Sequence, residues 1–300
     1  MPDPTAKNPQ EHGRFPYSAI VDREPLRWPN GARVALWVIP NIEHFLFDRP
    51  STSVTHTTAA FVPDVLNYSW RDYGVRVGIW RLMEVMQRYG VRGTVALNSD
   101  VCAHYPRILE EGNRLKWEWM GHGTSNSFIT NQRSEEAERA LIADVVRTIE
   151  KGTGKRPRGW LCPALTESHH TLDLLAENKI EYVADWVNDE QPYPMRVKNG
   201  TILSMPYTIE INDIPVSLDQ KQSGESFGRM ICDQFDVLYE DGAKTGRIMA
   251  ISLHPFLVGH PHRSKHFAKA LEHITSRQEV WLATGSEIVD WYQKNCVGAA

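Results

Sequence analysis

Arg33-Val-Ala-Leu-Trp-Val-Ile-Pro-Asn-Ile-Glu43-His44 begins as an apolar, β-branched run and ends in a polar cluster. Arg247-Ile-Met-Ala-Ile-Ser-Leu-His254-Pro255 has the same form. An apolar run closing on ionisable residues is the pattern of a parallel strand buried on both faces, with its reactive groups at the C-terminal end. Working outward, six further runs qualify as strands: 93–97, 115–120, 158–162, 182–186, 201–207 and 280–284. Helical patterns separate them. Val77, Trp80, Leu82, Met83 and Met86 recur at helical spacing before Gly90, and Ser134 caps a run carrying Ala137, Leu141, Val145 and Ile149 on one face. The segments 169–179, 225–242, 264–276 and 286–295 read likewise. Eight strands alternating with helices over about 270 residues predict an α/β fold, a (β/α) barrel of the TIM-like kind, in preference to two domains. Phe45–Tyr73 reads as a long non-periodic insertion after the first strand.

Composition narrows the function. The chain has 300 residues, 41% apolar and 23% charged, with a net charge of −4. The acidic balance argues against a nucleic-acid partner. No apolar run approaches the roughly 18 residues of a membrane span. The Pro-rich, polar N-terminus lacks the basic stub and apolar core of a secretory signal, and four scattered cysteines read as free thiols. A cytoplasmic location is the expectation.

The strand ends hold the candidate chemistry: Asn41, Glu43 and His44; His122 and Asn126; Cys162; Asp185 and Trp186; Asn212 and Asp213; His254. Glu43 with His122 suits either metal ligation or base and acid roles, weighed against a solvated carboxylate and a turn histidine. His254, between an apolar strand and a proline, suits a general acid, weighed against a packed core histidine. Cys162 reads as lining a site rather than as a nucleophile, because no Cys–His–Asp context supports it. Trp186 is the aromatic placed to line a pocket. Trp117, Trp119 and Trp160 read as core.

Seven stretches in order carry a family resemblance: Tyr73–Met83, Gly121–Asn126, Arg156–Trp160, Met205–Asp213, Phe235–Gly242, Ile251–Pro255 and Val280–Thr284. The chain resembles the polysaccharide deacetylase-like, or NodB-homology, family, and looks closest to its allantoinase-like, cyclic amide hydrolase branch. The resemblance spans about residues 28–291. It implies a distorted (β/α) barrel over residues 31–296, preceded by a Pro-rich arm over 1–30, and hydrolysis of a non-peptide C–N bond. In metal-dependent members the first motif supplies an aspartate base and an aspartate ligand, the second two histidines four residues apart, and a later Leu-x-His the acid. Here the first motif reads Asn41-Ile-Glu43-His44, the second pairs His122 with Asn126, and the arginine and aromatic of the third are replaced around Leu161–Ala164. Only His254 stands unchanged.

These departures predict no cofactor, or a weakly bound divalent metal such as zinc held by Glu43, His122 and His44. The last would need a bulge, since neighbouring strand residues point to opposite faces. The leading expectation is an amidohydrolase opening a small cyclic amide, imide or ureide. In it Glu43 and His254 are catalytic, and Asn41, Asn126, Cys162, Asp185, Trp186, Asn212 and Asp213 bind substrate. The alternatives are a metal-dependent N-deacetylase of an amino sugar or polysaccharide, and a degenerate binding protein. The expected partner is a small-molecule substrate, with neither nucleic acid nor membrane. The family adds an expectation of a homo-oligomer, a dimer or tetramer.

Overall fold

β1 (Val34–Ile42) is buried along all nine of its residues. Its two faces feed two separate cores. Leu36, Val38 and Ile42 pack outward among the helices, whereas Ala35, Trp37 and Ile39 pack inward with Tyr182, Met205 and Ile288. This double burial explains why the strand is apolar without interruption.

The computed structural model describes residues 12–50, 54–129 and 131–297. The sheet continues through β2 (Thr94–Leu97), β3 (Glu118–Gly121), β4 (Gly159–Trp160), β5 (Tyr182–Val183), β6 (Tyr193–Val197), β7 (Gly200–Ser204), β8 (Arg247–Leu253) and β9 (Val280–Leu282). Its order is β6-β7-β5-β4-β3-β2-β1-β8, with β9 also on β1. Every pairing is parallel except β6 with β7. The two ends of this order, β6 and β8, are not paired with each other. A bridge between Asn212 and Ser252 attaches the loop after β7 to β8. The result is a curled half-barrel, the distorted (β/α) barrel expected from the sequence.

Two expectations need correction. Among the described residues nine strands form, not eight. β6 escaped the sequence reading because Pro194 interrupts it and its residues alternate in exposure, which suits a strand at the edge of the sheet. The segment 45–73 is not wholly irregular either: α1 (Val65–Tyr73) forms inside it, with the Asp64 side chain accepting the Asn67 N–H at 3.3 Å as N-cap.

A π-helical turn over 74–78 carries α1 into α2 (Ile79–Arg88). There a Cβ on Gly78 would lie 2.0 Å from the Pro255 carbonyl oxygen, so only glycine lets this helix press against the residue that follows His254. The remaining helices are α3 (Val101–His104), α4 (Pro106–Arg114), α5 (Glu135–Thr153), α6 (Thr171–Glu177), α7 (Gly224–Asp241), α8 (Pro261–Thr275) and α9 (Gly285–Tyr292). Among the described residues no helix is long and apolar enough to cross a membrane. All four cysteines are free thiols.

Candidate active site

Strand parity sorts the strand-end residues into two groups. Trp37 and Ile39 on β1, Met120 on β3, and Ile248 and Ala250 on β8 belong to the inner core. Counting on by twos puts Glu43, His122 and His254 on that inner side. All three are buried. Glu43 Oε1 lies 3.6 Å from His122 Nε2 and 3.7 Å from His254 Nε2.

Each group is held from behind. His122 Nδ1 is 2.6 Å from the Leu161 carbonyl oxygen. A carbonyl only accepts, so Nδ1 carries the proton and Nε2 faces Glu43. His254 Nδ1–H donates to Asp213 Oδ1 at 2.7 Å, and the His254 backbone N–H donates to both Asp213 oxygens at 3.1 and 2.9 Å. Glu43 Oε1 accepts a short hydrogen bond from Asn126 Nδ2. Asn126 is fixed in turn: Asn98 Nδ2 donates to its Oδ1 at 2.9 Å, and its backbone N–H donates to Asn98 Oδ1 at 3.1 Å.

The electrostatics follow from these neighbours. Burial pushes the Glu43 carboxyl up, but His254 and His122 outweigh it, and Arg71 adds to their pull, so Glu43 is held below its ordinary value. Burial pushes His254 down, yet the Asp213 and Glu43 carboxylates overcome it and raise the imidazole above its ordinary value. Both shifts favour the ionised forms, a carboxylate beside an imidazolium. Arg71 on α1 stacks over the Phe45 ring at 4.0 Å, and burial lowers its guanidinium to about 10 against the pull of Glu43 and Asp64.

Several sequence expectations change here. His44 does not join Glu43 and His122. No bulge forms, parity sends it to the opposite face, and its ring stacks on His104 at 4.4 Å and 3°. Asn41 spends its amide N–H groups on Ser252 Oγ and on the Ile39 and Leu253 carbonyls, so it fastens β1 to β8 rather than facing a substrate. Asn126 orients Glu43, and Asp213 orients His254. Asn212 Oδ1 accepts the Ile214 N–H at 3.0 Å in a turn. Cys162 falls on the helix side of β4, among the outer core. Its Sγ accepts the Trp160 indole N–H at 3.3 Å, and burial pushes its thiol up, away from nucleophilic character.

A three-ligand metal site does not fit these residues. The position four after His122 is Asn126, whose amide nitrogen and oxygen are both engaged with Glu43 and Asn98. Among the described residues no group of three or more His, Cys, Asp or Glu is arranged to hold a metal ion.

Asp185 and Trp186 lie in a second, adjacent place. Cys162 N–H donates to Asp185 Oδ1 at 2.7 Å, one residue on from the carbonyl that holds His122. Trp186 Nε1–H donates to Glu167 Oε1 at 3.0 Å. These residues line an open groove of about 760 Å³ walled by His12, Arg14 and Leu165. Asn98, which fixes Asn126, and Arg71, which adds to the pull on Glu43, are residues the sequence reading does not select. Only Asn98 carried a visible signal, as the first polar residue after β2.

Residues 68–183 match the family model described as polysaccharide deacetylase. A Schizosaccharomyces pombe protein assigned as a polysaccharide deacetylase is 27% identical over 92% of this chain and 94% of its own. A Helicobacter pylori peptidoglycan deacetylase is 24% identical over 73% of this chain and 84% of its own. Among solved structures, the Puue allantoinase superposes with a TM-score of 0.85 at 24% identity, covering 94% of this chain and 98% of that one. The family match thus spans residues 68–183, and the two relatives extend the similarity over most of the chain. Glu43 and His254 lie outside the matched stretch; His122, Asn126 and Cys162 lie within it.

Proposed function

We propose that this chain is a hydrolase of C–N bonds other than peptide bonds, and that it opens a small cyclic amide, imide or ureide. The reading rests on one observation: a buried carboxylate, Glu43, faces two oriented imidazoles within 3.7 Å, while the third ligand position of the metal-dependent relatives is an asparagine already committed to that carboxylate.

The chemistry follows from the protonation states. Glu43, ionised, accepts a proton from water attacking the ring carbonyl. His254, protonated at Nε2 and steadied at Nδ1 by Asp213, delivers a proton to the departing ring nitrogen. Both shifts favour the form each role needs. His122, fixed by Leu161, borders the same space and positions the water or the carbonyl. A ring imide or ureide carbonyl is a better electrophile than a plain acetamide, so it suits a centre without a strong Lewis acid.

A second reading has its own support. The family model and the two curated relatives point to N-deacetylation of an amino sugar or polysaccharide. The groove beside the centre is open enough for a sugar chain. Assays on hydantoin, succinimide and an N-acetylated sugar oligomer, with and without chelator, separate the two. Ring opening unchanged by chelator supports the first reading. Chelator-sensitive release of acetate supports the second and overturns the first.

A further inference from the structure

β8, the strand that ends in His254, has a ladder on one side only. It pairs with β1 from Arg247 to Leu253, and the loop after β7 meets its other side at isolated points. Ahead of Ser252 this seam is an open groove of about 650 Å³, with Tyr207, Thr208, Ile248 and Ala250 among its walls. A strand beside such a gap is held by whatever crosses it.

The cross-links converge on Ser252. Its N–H donates to the Ile211 carbonyl at 3.0 Å across the seam. Its Oγ accepts from Asn41 Nδ2 of β1 at 3.1 Å and makes a short hydrogen bond with the Tyr207 hydroxyl from the other side of the seam. A hydroxyl has two acceptor positions and one proton, so Ser252 holds both neighbours at once. All three side chains are buried. Burial pushes the Tyr207 phenol up, and the Glu43 and Asp213 carboxylates push it the same way, so the link is between neutral groups.

By strand parity Asn41 is the inner residue just before Glu43, and Ser252 the inner residue just before His254. The chain Tyr207–Ser252–Asn41 therefore lies one layer beneath the pair whose Glu43 Oε1 and His254 Nε2 stand 3.7 Å apart. We propose that Tyr207 is a positioning residue for this pair: its hydroxyl, through Ser252 and Asn41, clasps the seam one layer below and fixes how far the base stands from the acid. The segment that carries Tyr207 also carries Asp213, so the same clasp sets where Asp213 meets His254. Misplacing a reacting group by an ångström costs on the order of 100-fold in rate, which is why a link outside the reacting layer matters.

This inference deepens the proposed function and rests on it for the reaction that the pair performs; the clasp itself can be read without turnover. Tyr207→Phe keeps the ring and its burial and removes one oxygen. On hydantoin, kcat is expected to fall at least tenfold with KM within twofold of wild type. Amide hydrogen exchange on the whole protein, followed by NMR, gives the second readout. The N–H groups of Ser252 and His254 cross the seam to Ile211 and Asp213, and are expected to exchange at least tenfold faster in the Phe variant. Those of Met249 and Ile251, which alternate with them and face β1, are expected to keep their rates. Equal acceleration at all four positions is general loosening and overturns the positioning role.

Ser252→Ala removes the same node from β8 and is expected to lower kcat as far. Adding Tyr207→Phe to it should then cost less than a further twofold, because the phenol has nothing left to hold. Independent losses that multiply overturn the clasp, as does an unchanged kcat or unchanged exchange at Ser252 and His254 in the Phe variant. Faster exchange confined to the seam, in a protein whose wild type opens no hydantoin, keeps the clasp and overturns the reaction. If Tyr207→Phe does not fold, exchange at His254 in Ser252→Ala decides.

Discussion

Glu43 and Glu167 are both glutamates in largely dry surroundings, one directly after a strand and the other in a loop, and their carboxyls shift in opposite directions. Burial raises both. Around Glu43 the next largest influences are the His254 and His122 imidazoles, and the carboxyl falls below its ordinary 4.5. Around Glu167 the next largest is the Asp185 carboxylate, and the carboxyl climbs to about 9. Burial therefore does not decide the charge of a site; the sign of what is buried with it does. Two glutamates of one molecule are thus held in opposite forms, one favoured as the anion and one favoured protonated.

The largest effects should come from dismantling the ionic side. Glu43→Gln keeps the shape and the Asn126 contact but removes the charge that accepts a proton. The expected loss in kcat on hydantoin is on the order of 100- to 10,000-fold, with KM little changed. His254→Ala should cost as much, and it sharpens the comparison. Without its chief counter-charge Glu43 should titrate higher, moving toward the behaviour of Glu167. The residual activity of the Ala variant should then show an acid limb displaced upward in pH. A displacement downward, or none, would break the electrostatic account of Glu43.

An intermediate effect should follow from Asp213→Asn. Asp213 holds His254 by three hydrogen bonds and raises its pKa. In wild type, activity should climb as Glu43 ionises below its ordinary 4.5, and decline only above 6.5, as His254 loses its proton. The sign is set by roles: the base must be ionised and the acid protonated, so a lowered Glu43 and a raised His254 widen the plateau at both edges. Asp213→Asn should pull the alkaline limb down in pH and reduce kcat about tenfold or more. An unmoved alkaline limb would show that His254 is not the acid.

The two glutamates also differ in how legible they were. Glu43 stands one residue beyond a strand whose inner face alternates cleanly, so period-two counting finds it, and the same count rejects His44. His254 was legible for the same reason at the end of β8. The barrel itself showed in the uninterrupted apolar runs. Glu167 gave no such sign. It sits in a loop after a short 3-10 turn (Pro163–Leu165), where no period applies, and its character comes from Asp185, eighteen positions later on the next strand end. Arg71 was hidden because α1 lies within a stretch that read as irregular. Asn126 and Asp213 are candidates in the sequence, but their pairing with Glu43 and His254 is not visible there. Sequence shows that an amide or carboxylate reaches a strand end, whereas only the fold shows whether its hydrogen bonds are already spent.

The smallest effect should come from Asp185→Asn. It removes the anion facing Glu167 and leaves the burial, because an amide occupies the same volume. Glu167 should therefore fall below about 9 yet stay above its ordinary 4.5, since burial is the first cause of its shift and Asp185 the second. Carboxyl-carbon NMR of protein labelled at glutamate follows that titration directly. The Cys162 N–H has its acceptor preserved by the asparagine carbonyl, so the fold should hold and the melting temperature should move by only a few degrees. A Glu167 that does not move would mean burial alone sets it. The contrast with Glu43 would then come from solvent exclusion rather than from the sign of the neighbour.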